Sequence, residues 1–250
     1  MAEGNGYAAA MKSVGLIALV LLTAAAAPGP HSVTRTTAAL EFSYEWPAEA
    51  VAIPALDRKL YTEAKAKLAE AQRNAAADQA LARKQKREFH QHDFSGSWET
   101  AGQTPRLLSL QGGFGGYEGG AHPNGFSRAL LWDRAQGRQV SVGSLFARTG
   151  DFVSLTRSIY CRMLDAERKE KREGETLGGE FNQCPKYSEL TIVPADGNNN
   201  GRFDTIDIIA DAYVAGPYVE GDYDVEVPVT SALIAALKPD YRASFEAQRQ

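Results

Sequence analysis

The chain has 250 residues, with 27 basic against 31 acidic side chains, a formal net charge of −4 and 44% hydrophobic residues. This balance leaves no basic footprint for nucleic acid, and the apolar fraction suits a single globular domain with a real core.

At the N-terminus, Met11 and Lys12 open a short positive region that runs into the apolar stretch 14–22, followed by Thr23 and four alanines. The run is too short to span a bilayer, and the small residues suit signal peptidase. Residues 1–26 are therefore predicted to be a cleavable secretory signal peptide, with Met11 as the start that fits the pattern. An uncleaved anchor is the alternative. No cysteine follows the small residues to be acylated, so the released chain is expected to be periplasmic or secreted, without a stable membrane anchor.

Residues 27–37 read as a polar linker, and residues 38–250 as one domain. Residues 40–46 alternate apolar and polar side chains with period two before Pro47, which predicts a strand. From 54 to about 89 the composition turns to Ala, Lys, Glu and Gln, with Leu56, Leu60, Ala64, Leu68 and Ala71 at helical spacing. This predicts a long amphipathic helix. Its basic end, Arg83-Lys84-Gln85-Lys86-Arg87, suits the negative end of a helix dipole. Strands are predicted around 94–100, 106–113, 126–132 and 138–142, as an antiparallel meander. A second helix follows at 152–173, ending at Gly174, then strands at 187–193, 203–214 and 223–229 and a short helix at 231–237. The predicted fold class is α+β, an antiparallel sheet packed with a long N-terminal helix and a second middle helix.

Cys161 and Cys184 are the two cysteines. In an exported chain their default reading is a disulfide that clips the second helix to the strand after Pro185. They show no Cys-x-x-Cys spacing, and no histidine is near them in sequence.

The densest local feature is the glycine cluster 112–122. It lacks the spacing of a dinucleotide loop and the lysine of a phosphate loop, and it leads into a strand. It is expected to be a wide loop that needs positive φ at several places. Within it lies Tyr117-x-Gly119-Gly120-Ala121-His122, followed by a strand, an apolar segment at 142–146, a helix, and then Pro217-Tyr218-Val219 with Gly221 and a strand. This series resembles the RsiV-like extracytoplasmic domain family. That family includes the sensor domain of the lysozyme-responsive anti-sigma factor RsiV and a domain found beside polysaccharide deacetylases of the PdaC type. The resemblance covers most of residues 38–245 and implies a shared fold and a role in envelope binding, with lysozyme or a cell-wall glycan as partner. The chain departs from it in carrying a signal peptide in place of a membrane-spanning anchor, and in having no paired-histidine deacetylase motif.

The candidate ligand-binding residues are Tyr117, Glu118, Gly119, Gly120 and His122. Two readings of them stand. In one the chain is a non-catalytic binding domain, and His122 fixes the loop by hydrogen bonding. In the other it is a cell-wall-modifying hydrolase or accessory enzyme, with His122, Glu118 and Tyr117 converging in a cleft.

A second constellation runs from Asp196 to Asp207 and follows calcium-loop grammar. Asp196, Asn198, Asn200 and Asp204 supply oxygen side chains, Arg202 a backbone carbonyl and Asp207 the closing carboxylate, with glycine at the sixth place. The closing residue is an Asp in place of the usual Glu, and the flanks read as strands. Calcium binding is one expectation. The other is an Asn/Gly-rich hairpin whose side chains satisfy their own backbone. His90 and His92, at a helix-to-strand junction, read as surface residues.

Overall fold

The computed structural model describes Met1 and residues 29–248, so the expected signal peptide lies outside the described residues. Strand β2 (Leu40–Trp46) buries Leu40, Phe42, Tyr44 and Trp46 and exposes or half-exposes the residues between them, as its alternation requires. After the one-turn helix α1 (Ala48–Val51), α2 (Pro54–Gln85) opens with proline in its first turn, where the missing N–H costs nothing. It lays Leu56, Leu60, Ala64 and Leu68 on the sheet and ends at Lys86, which takes the left-handed conformation at φ 52°. Each fully buried leucine contributes about 1.5–3 kcal/mol.

Strands β3 (His92–Gln103), β4 (Leu107–Tyr117), β5 (Asn124–Asp133) and β6 (Arg138–Val140) follow as a meander. The helical crossover returns β3 parallel to β2, so the β2–β3 pairing departs from the predicted antiparallel pattern. A 32-residue helix is long enough to carry the chain back to the same end of the sheet. The sheet order is β1-β2-β3-β4-β5-β6, where β1 (His31–Thr36) falls in the stretch read as a linker. An edge strand exposed on both faces shows no alternation, which is why its composition looked like a link.

A second sheet, β7 (Thr191–Ala195), β8 (Thr205–Ala210) and β9 (Tyr223–Pro228), is antiparallel throughout. Helix α3 (Asp151–Lys171) packs on it through Tyr160 and Leu164, with Ile206, Ile208, Val225 and Val227 beneath. Strand β7 is joined to the larger sheet by Asp196 N–H to Ala101 O (3.0 Å) and Thr191 Oγ1 to Ser127 O (3.1 Å). Helices α4 (Ser231–Ala236) and α5 (Pro239–Arg242) close the chain, and Tyr241 donates to the fully buried Asp133 at 3.0 Å. The architecture is the α+β single domain that the pattern predicts, with its strands divided between two sheets. Among the described residues no helix is long and apolar enough to cross a membrane.

Two buried clusters result. One lies between α2 and the six-stranded sheet and is rich in aromatics, including Tyr44, Trp46, Trp98, Phe114 and Trp132. The other lies around α3, β8 and β9. In the first, glycines within strands make room for rings. A Cβ at Gly96 or Gly112 would stand 2.5 Å from the Phe114 ring. Much of the glycine cluster is therefore strand: residues up to Tyr117 belong to β4, and Gly119, at φ 82°, is the glycine of the cluster with positive φ. The predicted wide loop shrinks to a tight connection before β5, because the absent Cβ there serves packing more than backbone freedom.

Candidate functional site

The connection between β4 and β5 and the segment after β8 meet at one end of the molecule. The His122 and Tyr218 rings stack with centroids 4.1 Å apart at 28°, and Tyr213 joins them at 5.7 Å from Tyr218. His122 Nδ1 lies 2.9 Å from Pro123 O, which calls for the tautomer with hydrogen on Nδ1. Nε2 is then free to accept from Tyr213 Oη, at a long 3.5 Å. Tyr218 donates to the same Pro123 carbonyl at 3.1 Å. The result is a shelf of three rings, with Tyr213 56% and Tyr218 38% exposed and Val219 standing beside them at 88%.

The shelf is rigidly held. Asp211 accepts the Ser127 N–H with both oxygens, at 2.9 and 3.0 Å, and Asp222 accepts from Ala212 N–H at 2.8 Å. Arg168 and Arg172 of α3 both donate to Ala215 O. Arg172 also grips Glu220 through two 2.9 Å bonds, which hold that carboxyl below its ordinary range. Gly216 lies directly under the Glu220 carboxylate, where a Cβ would not fit. Tyr213 itself sits at φ 72°, a conformation that costs a bulky side chain energy and that the surrounding bonds impose.

Beside Tyr213 opens a cleft of about 330 Å³, lined by Glu180, Phe181, Lys186, Glu189 and Val214. Its far wall is the segment clipped to α3 by the Cys161–Cys184 disulfide, with Cα atoms 5.5 Å apart, so the predicted pair is formed. Arg157 reinforces the clip by donating to Pro185 O at 3.0 Å and Cys184 O at 3.2 Å.

Of the residues singled out from sequence, His122 is on the shelf, and Gly119 and Gly120 form the exposed turn that delivers it. Glu118 turns the other way, accepting from Asn74 of α2 at 3.4 Å. Tyr117 is the last residue of β4, opposite Asp93. The His122 nitrogens face oxygens of Pro123 and Tyr213. Tyr213 and Tyr218 were not among the candidates. Their signal was two tyrosines flanking Gly216-Pro217 in a connection where core packing does not call for them.

The calcium-like segment is arranged differently. Asp196 accepts from Asn200 N–H (3.0 Å) and Gly201 N–H (2.8 Å). Asp204, 4% exposed, accepts from Gly197 N–H (2.7 Å) and Asn198 Nδ2 (3.1 Å). Asn198 Oδ1 receives the Asn200 N–H, and both asparagine amides donate to Glu246. The oxygens of this loop thus face N–H donors of the loop itself. Arg202 directs its guanidinium to Ala243 O. Asp207 belongs to β8, where it accepts from Thr205; burial first, then Asp224 and Glu226, pushes its carboxyl up to about 7. Among the described residues no group of three or more His, Cys, Asp or Glu is placed to hold a metal. His92, expected at the surface, is 3% exposed, with Nε2 3.3 Å from Asp78, because the strand face it occupies turns toward α2.

A family model described as deacetylase PdaC matches residues 33–125, the stretch from β1 to the start of β5 that includes the glycine hairpin. No curated protein matches. Among solved structures, a DUF3298 family protein from Pseudomonas aeruginosa PAO1 is 14% identical, covers 88% of this chain and 98% of its own, and superposes with a TM-score of 0.56. A DUF3298 family member from Bacteroides fragilis NCTC 9343 is also 14% identical, covers 86% and 96%, and has a TM-score of 0.53. The chain therefore shares the fold of these DUF3298 proteins and, over residues 33–125, resembles the PdaC model; the narrower RsiV-like likeness does not follow from these matches.

Proposed function

We propose that this is an exported, non-catalytic envelope-binding domain that holds a cell-wall glycan on the His122–Tyr213–Tyr218 shelf. The observation that carries the reading is three rings at the surface, fixed by ion pairs and backbone bonds yet left uncovered by the other described residues. An exposed aromatic face is a ready partner for the C–H face of a sugar ring, and a pre-formed shelf avoids the entropy of ordering on binding. The signal-peptide pattern at 1–26 and the RsiV-like resemblance support an envelope location for that ligand.

Calorimetric titration of the purified protein with soluble peptidoglycan fragments tests this, with lysozyme titrated in parallel. Saturable binding of the fragments is expected, weakened at least about tenfold in Tyr218→Ala, the loss typical of a central aromatic contact. Binding of lysozyme alone would replace the glycan as ligand, and silence with both would remove the proposal.

A further inference from the structure

The two sheets end in four edge strands, and three of these are guarded. Strand β6 has three residues. Strand β7 contains Pro194 and is bonded to the larger sheet at Ala101 and Ser127. Strand β9 carries Asp224 and Glu226. Short length, proline, coverage and charge are the devices that stop edges from pairing with other chains.

Strand β1 is the least guarded: among the described residues it has neither proline nor a covering segment, and Arg35 is its one permanent charge. It runs six residues, His-Ser-Val-Thr-Arg-Thr, with β-branched side chains at Val33, Thr34 and Thr36 and no proline. Its residues are exposed except for half-buried Val33, and among the described residues its backbone bonds only to β2. His31 is tied to Asp57 of α2 at 2.9 Å, which leaves Arg35 as the strand's charge without an ion-pair partner among the described residues. Tyr61 stands one helical turn after Asp57, on the side of α2 that faces β1, and it is 53% exposed. An unguarded edge and an uncovered aromatic thus lie side by side.

We propose that β1 pairs antiparallel with β1 of a second copy, about a two-fold axis at Thr34, to make one continuous sheet across the dimer. The strand is self-complementary in this register: Thr34 faces the partner's Thr34, Val33 the stem of the partner's Arg35, and Ser32 the partner's Thr36. No like charges oppose one another, and threonine and β-branched pairs are favourable across strands. Moving the axis to Val33 would set His31 against the partner's Arg35. The interface is isologous, as a closed dimer requires. Five paired residues on each strand bury less than the roughly 1,200 Å² of a stable complex, so the dimer forms only at high concentration.

Sedimentation of the purified protein from about 5 μM to about 500 μM is expected to show the mass rising from one chain toward two, a range suited to an interface of this size. Thr34→Lys places two ammonium groups across the axis and should hold the mass at one chain throughout, with an unchanged far-UV spectrum. Thr34→Cys should give a covalent dimer on a non-reducing gel. A single-chain mass at every concentration, or a dimer that Thr34→Lys leaves intact, overturns the proposal. Failure of Thr34→Cys to trap the dimer overturns the Thr34 axis.

Discussion

The β4–β5 connection with its tyrosine partners and the Asp196–Phe203 loop are built from similar material, glycines and polar residues between strands, yet they direct their side chains oppositely. In the second, Asp196, Asn198 and Asp204 take up the loop's own N–H groups. In the first, Asp222 takes up one N–H of its own connection, but Asp211 reaches out to β5 and Arg168 and Arg172 reach in from α3, and the rings are left at the surface. The difference teaches that composition alone does not mark a binding site. What marks it is whether the polar groups that hold a loop also consume its exposed face.

The contrast can be tested, beginning with the largest effect. Asp204→Ala removes a buried carboxylate that accepts the Gly197 N–H and the Asn198 amide, and it should destabilise the fold by about 2–3 kcal/mol in urea denaturation. Glycan binding by the folded fraction should be unchanged. If the loop is self-satisfied, calcium in place of a chelator should move the melting temperature by less than about 1 °C. A calcium-dependent rise would show that the cation displaces those N–H donors and would break the comparison.

Tyr213→Gly should act in the opposite sense on the other loop. The left-handed backbone at φ 72° costs a tyrosine about 1 kcal/mol that glycine does not incur. The variant is expected to melt slightly higher while losing glycan affinity, which would identify the strain as serving presentation of the ring. Loss of both stability and binding would mean that Tyr213 is a packing residue.

The last test reads a slope against pH and concerns Asp207. Its folded carboxyl is raised to about 7 from an ordinary 3.8, so the folded state holds its proton more tightly than the unfolded chain. That contribution is fully present below about pH 4 and is lost as pH rises through 7. Asp207→Asn should therefore flatten the decline in stability between these values, read as melting temperature against pH. An unchanged slope would assign the decline to Asp224, which burial and Glu226 also raise.

Tyr44 illustrates how far pattern could reach. Its burial was legible from the alternation of 40–46, but not its hydroxyl contacts, donation to Glu63 at 2.9 Å and acceptance from Trp98 Nε1 at 2.9 Å. Those partners come from α2 and β3. Likewise His122 stood out because a histidine among glycines is conspicuous, whereas Tyr218, some ninety residues further on, was legible only as part of the Pro217-Tyr218-Val219 resemblance and Tyr213 not at all.

Local periodicity determined the long helix, most strands and the α+β class, because burial on one face imposes a repeat that composition records; the cysteine pair followed from two cysteines in a chain expected to be exported. Only the tertiary structure decided that α2 makes β2 and β3 parallel, that the strands divide into two sheets, and that β1 is a strand at all. It alone decided that the oxygen-rich loop turns inward while His122 meets two distant tyrosines. These outcomes depend on which surfaces meet across long stretches of chain, and no repeat within a segment encodes that.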